Sequence, residues 1–160
     1  MTVARWHANA APRLRESGDT IDAHQWRVAQ LVQRICDAIG EPCRLNLLQA
    51  ALYHDEAERV LGDMPRPAKD RFYALARAYA DAEAEVMAEM NLPGYPWELT
   101  EREEQILRLA DCADAWRWAW QHGARGEEWQ DAAAECHGLA WSMGKKVGVW
   151  WEQFERENAA

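Results

Sequence analysis

Apolar residues recur along this chain at the three-and-four spacing of a helix, and they show no strand-like alternation of any length. The clearest stripe is Val28, Leu31, Val32, Ile35 and Ile39, which predicts an amphipathic helix starting near Thr20. Asp19 or Thr20 supplies its N-cap oxygen, Gly40 its C-cap, and Pro42 follows the stop. A second helix is expected from about Arg44 to Leu61, closed by Gly62 and led away by Pro65 and Pro67. A third, alanine-rich helix starts at Pro67 and reaches about Met90, with a partly exposed face.

The segment from Asn91 to Trp97 reads as a loop. Thr100 and Glu103 then form a capping box ahead of a fourth helix that carries Ile106, Leu107, Ala110, Ala113 and Trp116 and stops at Gly123. A last helix runs from about Glu127 to Glu155, with a break expected near Gly144 or Gly148. Ahead of all these, residues 1–20 read as an extended or partly helical arm, punctuated by Pro12 and Gly18. The expectation is an all-α bundle of five or six helices or more, in a single domain over residues 1–160.

Composition narrows the function. With 49% hydrophobic residues the chain can build a substantial core. A net charge of -9 argues against a nucleic-acid polymer as partner, which calls for a basic face. It leaves a small nucleotide open, because a metal and a few local cations hold phosphate well in an acidic protein. The N-terminus lacks the apolar core of a signal peptide, and no window approaches the roughly 20 apolar residues of a membrane span. The expected setting is cytoplasmic, with no membrane partner.

Cys36, Cys43, Cys112 and Cys136 form no Cys-x-x-Cys pair and read as reduced, space-filling thiols. Ten tryptophans crowd toward the C-terminal third and suit a core or subunit interface better than base stacking. Trp116 and Trp120 share a helical face while Trp118 falls on another, so at least one is expected exposed or at an interface.

The chemistry concentrates where the apolar run Leu47, Leu48, Ala51, Leu52 ends in His54-Asp55. A buried charge without a partner costs several kcal/mol, and a cation is the simplest partner. Glu58 follows Asp55 by three residues and His54 by four, so it projects over the same side of the helix. His24 near one helix start and Asp111 in mid-helix are distant candidates to complete a ligand set. Asp114 lies three residues beyond Asp111 on nearly the same face.

Five segments in order, Arg5-Trp6, Thr20–His24, His54–Glu58, Gly62–Lys69 and Leu109–Asp111, resemble the HD-domain metal-dependent phosphohydrolases. Among these the pattern is similar to bacterial 5'-deoxynucleotidases and compact phage-type dATP triphosphohydrolases. The resemblance implies a divalent ion (cobalt, manganese, zinc, iron or magnesium) held by His24, His54, Asp55 and Asp111. Asp114 competes with Asp111 for the last position, and the family's Leu-Ala-Asp spacing favours Asp111, with Asp114 then a group supporting the ligands. It implies catalysis by Asp55 together with Glu58, the latter acting on the attacking water as base or orienting group. Arg5, Lys69 and Arg108 are expected to cradle phosphate, Trp6 to meet the sugar or base and exclude a 2'-hydroxyl, Asp63 to lie near the 3'-hydroxyl, and Pro67 to line the base pocket. Relatives commonly carry Glu-His where this chain has Ala23-His24, so a supporting hydrogen bond at that histidine is expected to be missing. Related enzymes assemble, which suggests a homo-oligomer, either dimer or hexamer.

Two substrates fit. The compact length, the Arg5-Trp-His7 start and the cations Arg5, Arg66, Lys69 and Arg108 incline the reading to cleavage of a dNTP, dATP in particular, with release of triphosphate. The alternative is a 5'-deoxynucleotidase acting on deoxynucleoside monophosphates. A non-catalytic nucleotide-binding module stands further off, since such modules usually lose a ligand or the Glu.

Overall fold

A computed structural model describes residues 3–6, 9, 11–64 and 66–159, the side chains of Arg66 and Pro67 excepted. Among the described residues nine helical segments follow one another: α1 Pro12–Arg15, α2 Ile21–Ile39, α3 Leu45–Tyr53, α4 Glu58–Leu61, α5 Arg66–Arg71, α6 Tyr73–Glu89, α7 Glu101–Gln121, α8 Glu127–Ser142 and α9 Lys145–Asn158. The only β pairing described is a single antiparallel bridge, Ala4 to Thr20, which ties the N-terminal arm to the start of α2. The chain is all-α, and no described helix is long and apolar enough to cross a membrane.

The core forms around α2, which packs on α3, α7 and α9. All five residues of its apolar stripe are buried, and each such side chain contributes about 1.5–3 kcal/mol on leaving water. Trp116 of α7 meets Trp151 of α9 edge-on at 5.5 Å and lies 6.3 Å from Phe154, so aromatic contacts draw these two helices together. Trp118 is not left bare: it is half-buried, with the Arg27 guanidinium 4.3 Å from its ring centre and His122 stacked 4.4 Å away. Trp141 is the most exposed of the C-terminal tryptophans, at 39%. The four cysteines are free thiols.

Several sequence signals act as expected. Thr20 caps α2, its Oγ1 accepting from the Ala23 N–H at 3.3 Å, and Gly40 ends the helix. At α7 the capping box is complete, with the Glu103 carboxylate accepting the Thr100 N–H at 2.8 Å. Of the two expected breaks near the C-terminus, Gly144 makes it, with φ 115°. Gly148 instead lies inside α9, where an added Cβ would meet the Trp141 ring at 2.5 Å.

Two expected helices are interrupted. The helix drawn from Arg44 to Leu61 ends as α3 at Tyr53, and residues 54–57 tighten into turns before α4. Three N–H groups there reach back three residues, Glu56 to Tyr53, Glu58 to Asp55 and Arg59 to Glu56. His54 Nδ1 sits 3.0 Å from the Ala51 carbonyl, the acceptor that residue 55 would use in an unbroken α-helix. The helix drawn from Pro67 to Met90 is divided at Phe72, whose backbone takes φ -123° and ψ 77°. The resulting α6 packs on α4 and α5 and buries only Met87 fully.

Glu103 also accepts both Arg44 nitrogens at 2.6 Å. The Arg44 hydrogen bond is the main reason its carboxyl falls from 4.5 to about 2; burial opposes this, while the Thr100 groups add to it. A lowered folded-state pKa contributes stability that is present above the ordinary value and lost as pH falls through the folded one. The Arg44→Ala variant is therefore expected to lose stability at pH 6 and to converge toward the parent as pH falls from about 4.5 to about 2. Urea unfolding at stepped pH checks this; a gap that stays constant with pH would sink it.

Candidate metal centre

The packing of α2, α3 and α7 brings residues 24, 54, 55 and 111 to one place. His24 is fully buried. Its Nε2 lies 3.3 Å from Asp55 Oδ2 and 3.1 Å from Asp111 Oδ1. His54 Nε2 lies 3.4 Å from Asp55 Oδ1 and 3.8 Å from Asp111 Oδ1. One ligand atom each from His24, His54 and Asp55 fall within 4.8 Å of one another.

Both imidazoles are oriented from behind. His24 Nδ1 is 2.8 Å from Asp114 Oδ2, and His54 Nδ1 is 3.0 Å from the Ala51 carbonyl. In the neutral rings that a metal requires, an Nδ1–H donated in this way leaves both Nε2 lone pairs facing the cluster. Both Nε2 atoms are buried without a hydrogen-bond partner. Two unpartnered buried nitrogens between two carboxylates form a mixed N/O donor set that fits a divalent ion such as manganese, cobalt, iron or zinc.

Electrostatics agree with the geometry. Burial and Arg5 work against a charged His24, yet Asp111, Asp114 and Asp55 outweigh them and raise its pKa from 6.5 to about 10. Burial likewise opposes a charged His54, but Asp55 and Asp111 prevail and raise it. Burial alone would raise the Asp111 pKa, but the two histidines hold it well below the ordinary carboxylate range. A place that favours positive charge this strongly favours a cation.

Asp114 is more than a neighbour of Asp111. It is fully buried and accepts Arg27 Nε at 2.9 Å, Arg27 Nη2 at 2.9 Å and Arg117 Nη2 at 2.8 Å, besides holding His24. Its contact supplies the support at His24 that Ala23 lacks. Asp114→Asn is expected to weaken metal affinity by roughly 10–100-fold with the fold intact. Metal titration followed by calorimetry checks this, and an unchanged affinity would refute the role.

The other expected site residues divide. Arg5 is nearly buried and stands among three acids, 3.7 Å from Asp19, 3.6 Å from Asp111 and 3.8 Å from Asp114. Its Nη1 has no hydrogen-bond partner. Trp6 lies beneath the Arg5 guanidinium at 4.6 Å and donates its indole N–H to Asp19 at 3.0 Å. Glu58 is drawn into the same field: burial first, then Asp55 and Asp63, push its carboxyl up to about 8, against Arg5 and Lys69. Arg59 does not pair with it but turns to Glu56 at 2.7 Å and to Asp22. Lys69 lies 5.2 Å from the Tyr79 ring centre. Arg108 turns to Glu135 of α8 at 2.7 Å. His7 and the side chains of Arg66 and Pro67 lie outside the described residues.

Sequence reasoning missed Asp19, Arg27, Arg117 and Tyr79. Arg27 follows His24 by three residues, and Arg117 follows Asp114 by three, so both shared a helical face with a recognised residue. Tyr79, whose hydroxyl donates to the Gly62 carbonyl, carried no such signal.

A helical bundle that gathers a distant histidine, a His-Asp pair and a later aspartate defines the HD-domain hydrolases. Residues 1–133 match the family described as 5'-deoxynucleotidase YfbR-like, and the chain belongs to that family. An uncharacterised protein of Rhodobacter capsulatus is 32% identical over 117 residues, 71% of this chain and 53% of that protein. The chain thus spans about half the length of this curated relative. No solved structure matches. The family favours the deoxynucleotidase alternative over the dATP triphosphohydrolase to which the N-terminal pattern inclined the sequence reading.

Proposed function

We propose that this protein is a metal-dependent 5'-deoxynucleotidase that hydrolyses deoxynucleoside 5'-monophosphates to a deoxynucleoside and inorganic phosphate. The observation that carries the reading is the pair of buried, unpartnered imidazole Nε2 atoms beside two carboxylates, with Glu58 held in the same field. His24, His54, Asp55 and Asp111 would hold the ion. When bound, a divalent ion adds positive charge at a phosphoryl oxygen and acidifies water.

This chain's own groups supply the rest. Glu58 takes a proton from the water that attacks phosphorus, the bond from phosphorus to the 5'-oxygen breaks, and the leaving oxygen acquires a proton. Arg5 and Lys69 are the described cations of the phosphate cradle. Arg108 is engaged by Glu135, which leaves fewer described cations for three phosphates and supports the monophosphate reading. Trp6 crowds the sugar 2'-carbon, and Asp63 meets the 3'-hydroxyl. The substrate is a small nucleotide rather than a nucleic-acid polymer, in keeping with a net charge of -9.

The test is a product assay with cobalt or manganese on dNMPs, dNTPs and their ribonucleotide counterparts. Inorganic phosphate from dNMPs supports the proposal. Triphosphate plus deoxynucleoside from one dNTP would overturn it in favour of a triphosphohydrolase.

A further inference from the structure

The Arg5-Trp6 segment lies outside the described helices, yet selective exclusion of a 2'-hydroxyl requires a rigid wall. An apolar surface rejects an added hydroxyl only modestly, on the order of a hundred-fold, so slack in the wall would erode even that. What fixes the arm is Asp19. Its side chain is fully buried and accepts the Trp6 indole N–H at 3.0 Å. Its backbone carbonyl accepts the Arg5 N–H at 3.1 Å, and beside it the Ile21 N–H donates to Val3 at 3.1 Å.

Asp19 is itself held by Arg27, whose Nη2 donates to its two oxygens at 2.9 and 3.1 Å. The same guanidinium grips Asp114, which orients His24. One unbroken chain of charged hydrogen bonds therefore runs from the Trp6 indole through Asp19, Arg27 and Asp114 to a candidate metal ligand. Trp129, edge-on to Trp6 at 5.6 Å, adds packing but no direction.

The geometry points to Asp19 as a positioning residue that locks Trp6 in register with the metal centre and so sets discrimination between deoxyribose and ribose. The specificity part rests on the function proposed above; the locking of the arm does not. A charged hydrogen bond of this kind is worth about tenfold or more in an equilibrium constant.

The test compares the full chain with Asp19→Asn and with Trp6→Phe, which removes the indole donor and leaves Asp19 and Arg27 in place. Hydrogen exchange over residues 3–6 is expected to quicken about tenfold in both variants, with α2 and α7 still protected and metal content retained. The ratio of dNMP to ribonucleotide turnover is expected to fall about tenfold in both. If exchange is unchanged in Trp6→Phe and in any folded Asp19→Asn, the locking role is overturned. If the arm loosens but the ratio holds while Trp6→Ala lowers it, the specificity role is overturned and the deoxynucleotidase reading stands. A parent chain that turns over no dNMP refutes that reading, and with it the specificity role, while the exchange comparison still decides whether Asp19 holds the arm.

Discussion

Asp55→Ala is expected to lose both bound metal and turnover, with activity falling at least about a thousand-fold. That figure corresponds to the several kcal/mol that an ion contributes to the charge developing on a phosphoryl group. Asp55 stands 3.3 Å from His24 Nε2 and 3.4 Å from His54 Nε2, so its removal takes one donor and one of the two anions that both imidazoles share. His54→Ala should behave the same way, because its Nε2 faces the cluster and its Nδ1 is committed to Ala51. Elemental analysis of the purified variants, with helicity checked by circular dichroism, reads both quantities. A folded Asp55→Ala protein with a full complement of metal would place the ion elsewhere.

Glu58→Gln is expected to separate binding from chemistry. Metal content and nucleotide affinity persist, while kcat falls by about 10²–10⁴-fold, the usual contribution of a positioned base. The direction of its pKa gives a second readout. Burial, Asp55 and Asp63 push the Glu58 carboxyl up to about 8, and Arg5 and Lys69 pull it down. A bound divalent ion adds positive charge, which favours the charged carboxylate and lowers its pKa further. A base must be deprotonated to act, so the parent's rate should rise with pH through the Glu58 pKa and be lost on the acid side. In Glu58→Gln that acid limb should vanish along with most of the rate. A pH–rate profile measured at saturating metal checks this; an identical acid limb in the variant would remove Glu58 from the role.

The helical architecture was legible because it rests on local rules. The stripe Val28 to Ile39 lies entirely in the core, since residues spaced three and four apart share a helical face whatever that face meets. The Thr100–Glu103 box and the Thr20 cap are satisfied within four residues of chain, so their composition alone determined where α7 and α2 begin. The break before α9 needed only a glycine at a positive φ, which is Gly144, whereas Gly148 stays helical and leaves room for the Trp141 ring.

The rest depended on partners far away in sequence. The tightening at residues 54–57 follows from His54 claiming the Ala51 carbonyl, a competition invisible to helical periodicity. Arg108 shared a predicted face with Asp111, but the approach of α8 offered it Glu135 instead. Arg27 reaches Asp114 across 87 residues and Asp19 across 8, so its double role exists only once α2 and α7 are packed. The sequence by itself determined the all-α class, the starts of α2 and α7, and which residue types could serve a phosphate-cleaving site, because propensity, capping and patterning act within a few residues. Only the tertiary structure decided which charges neutralise one another, because distance and burial, and not order along the chain, set that energy.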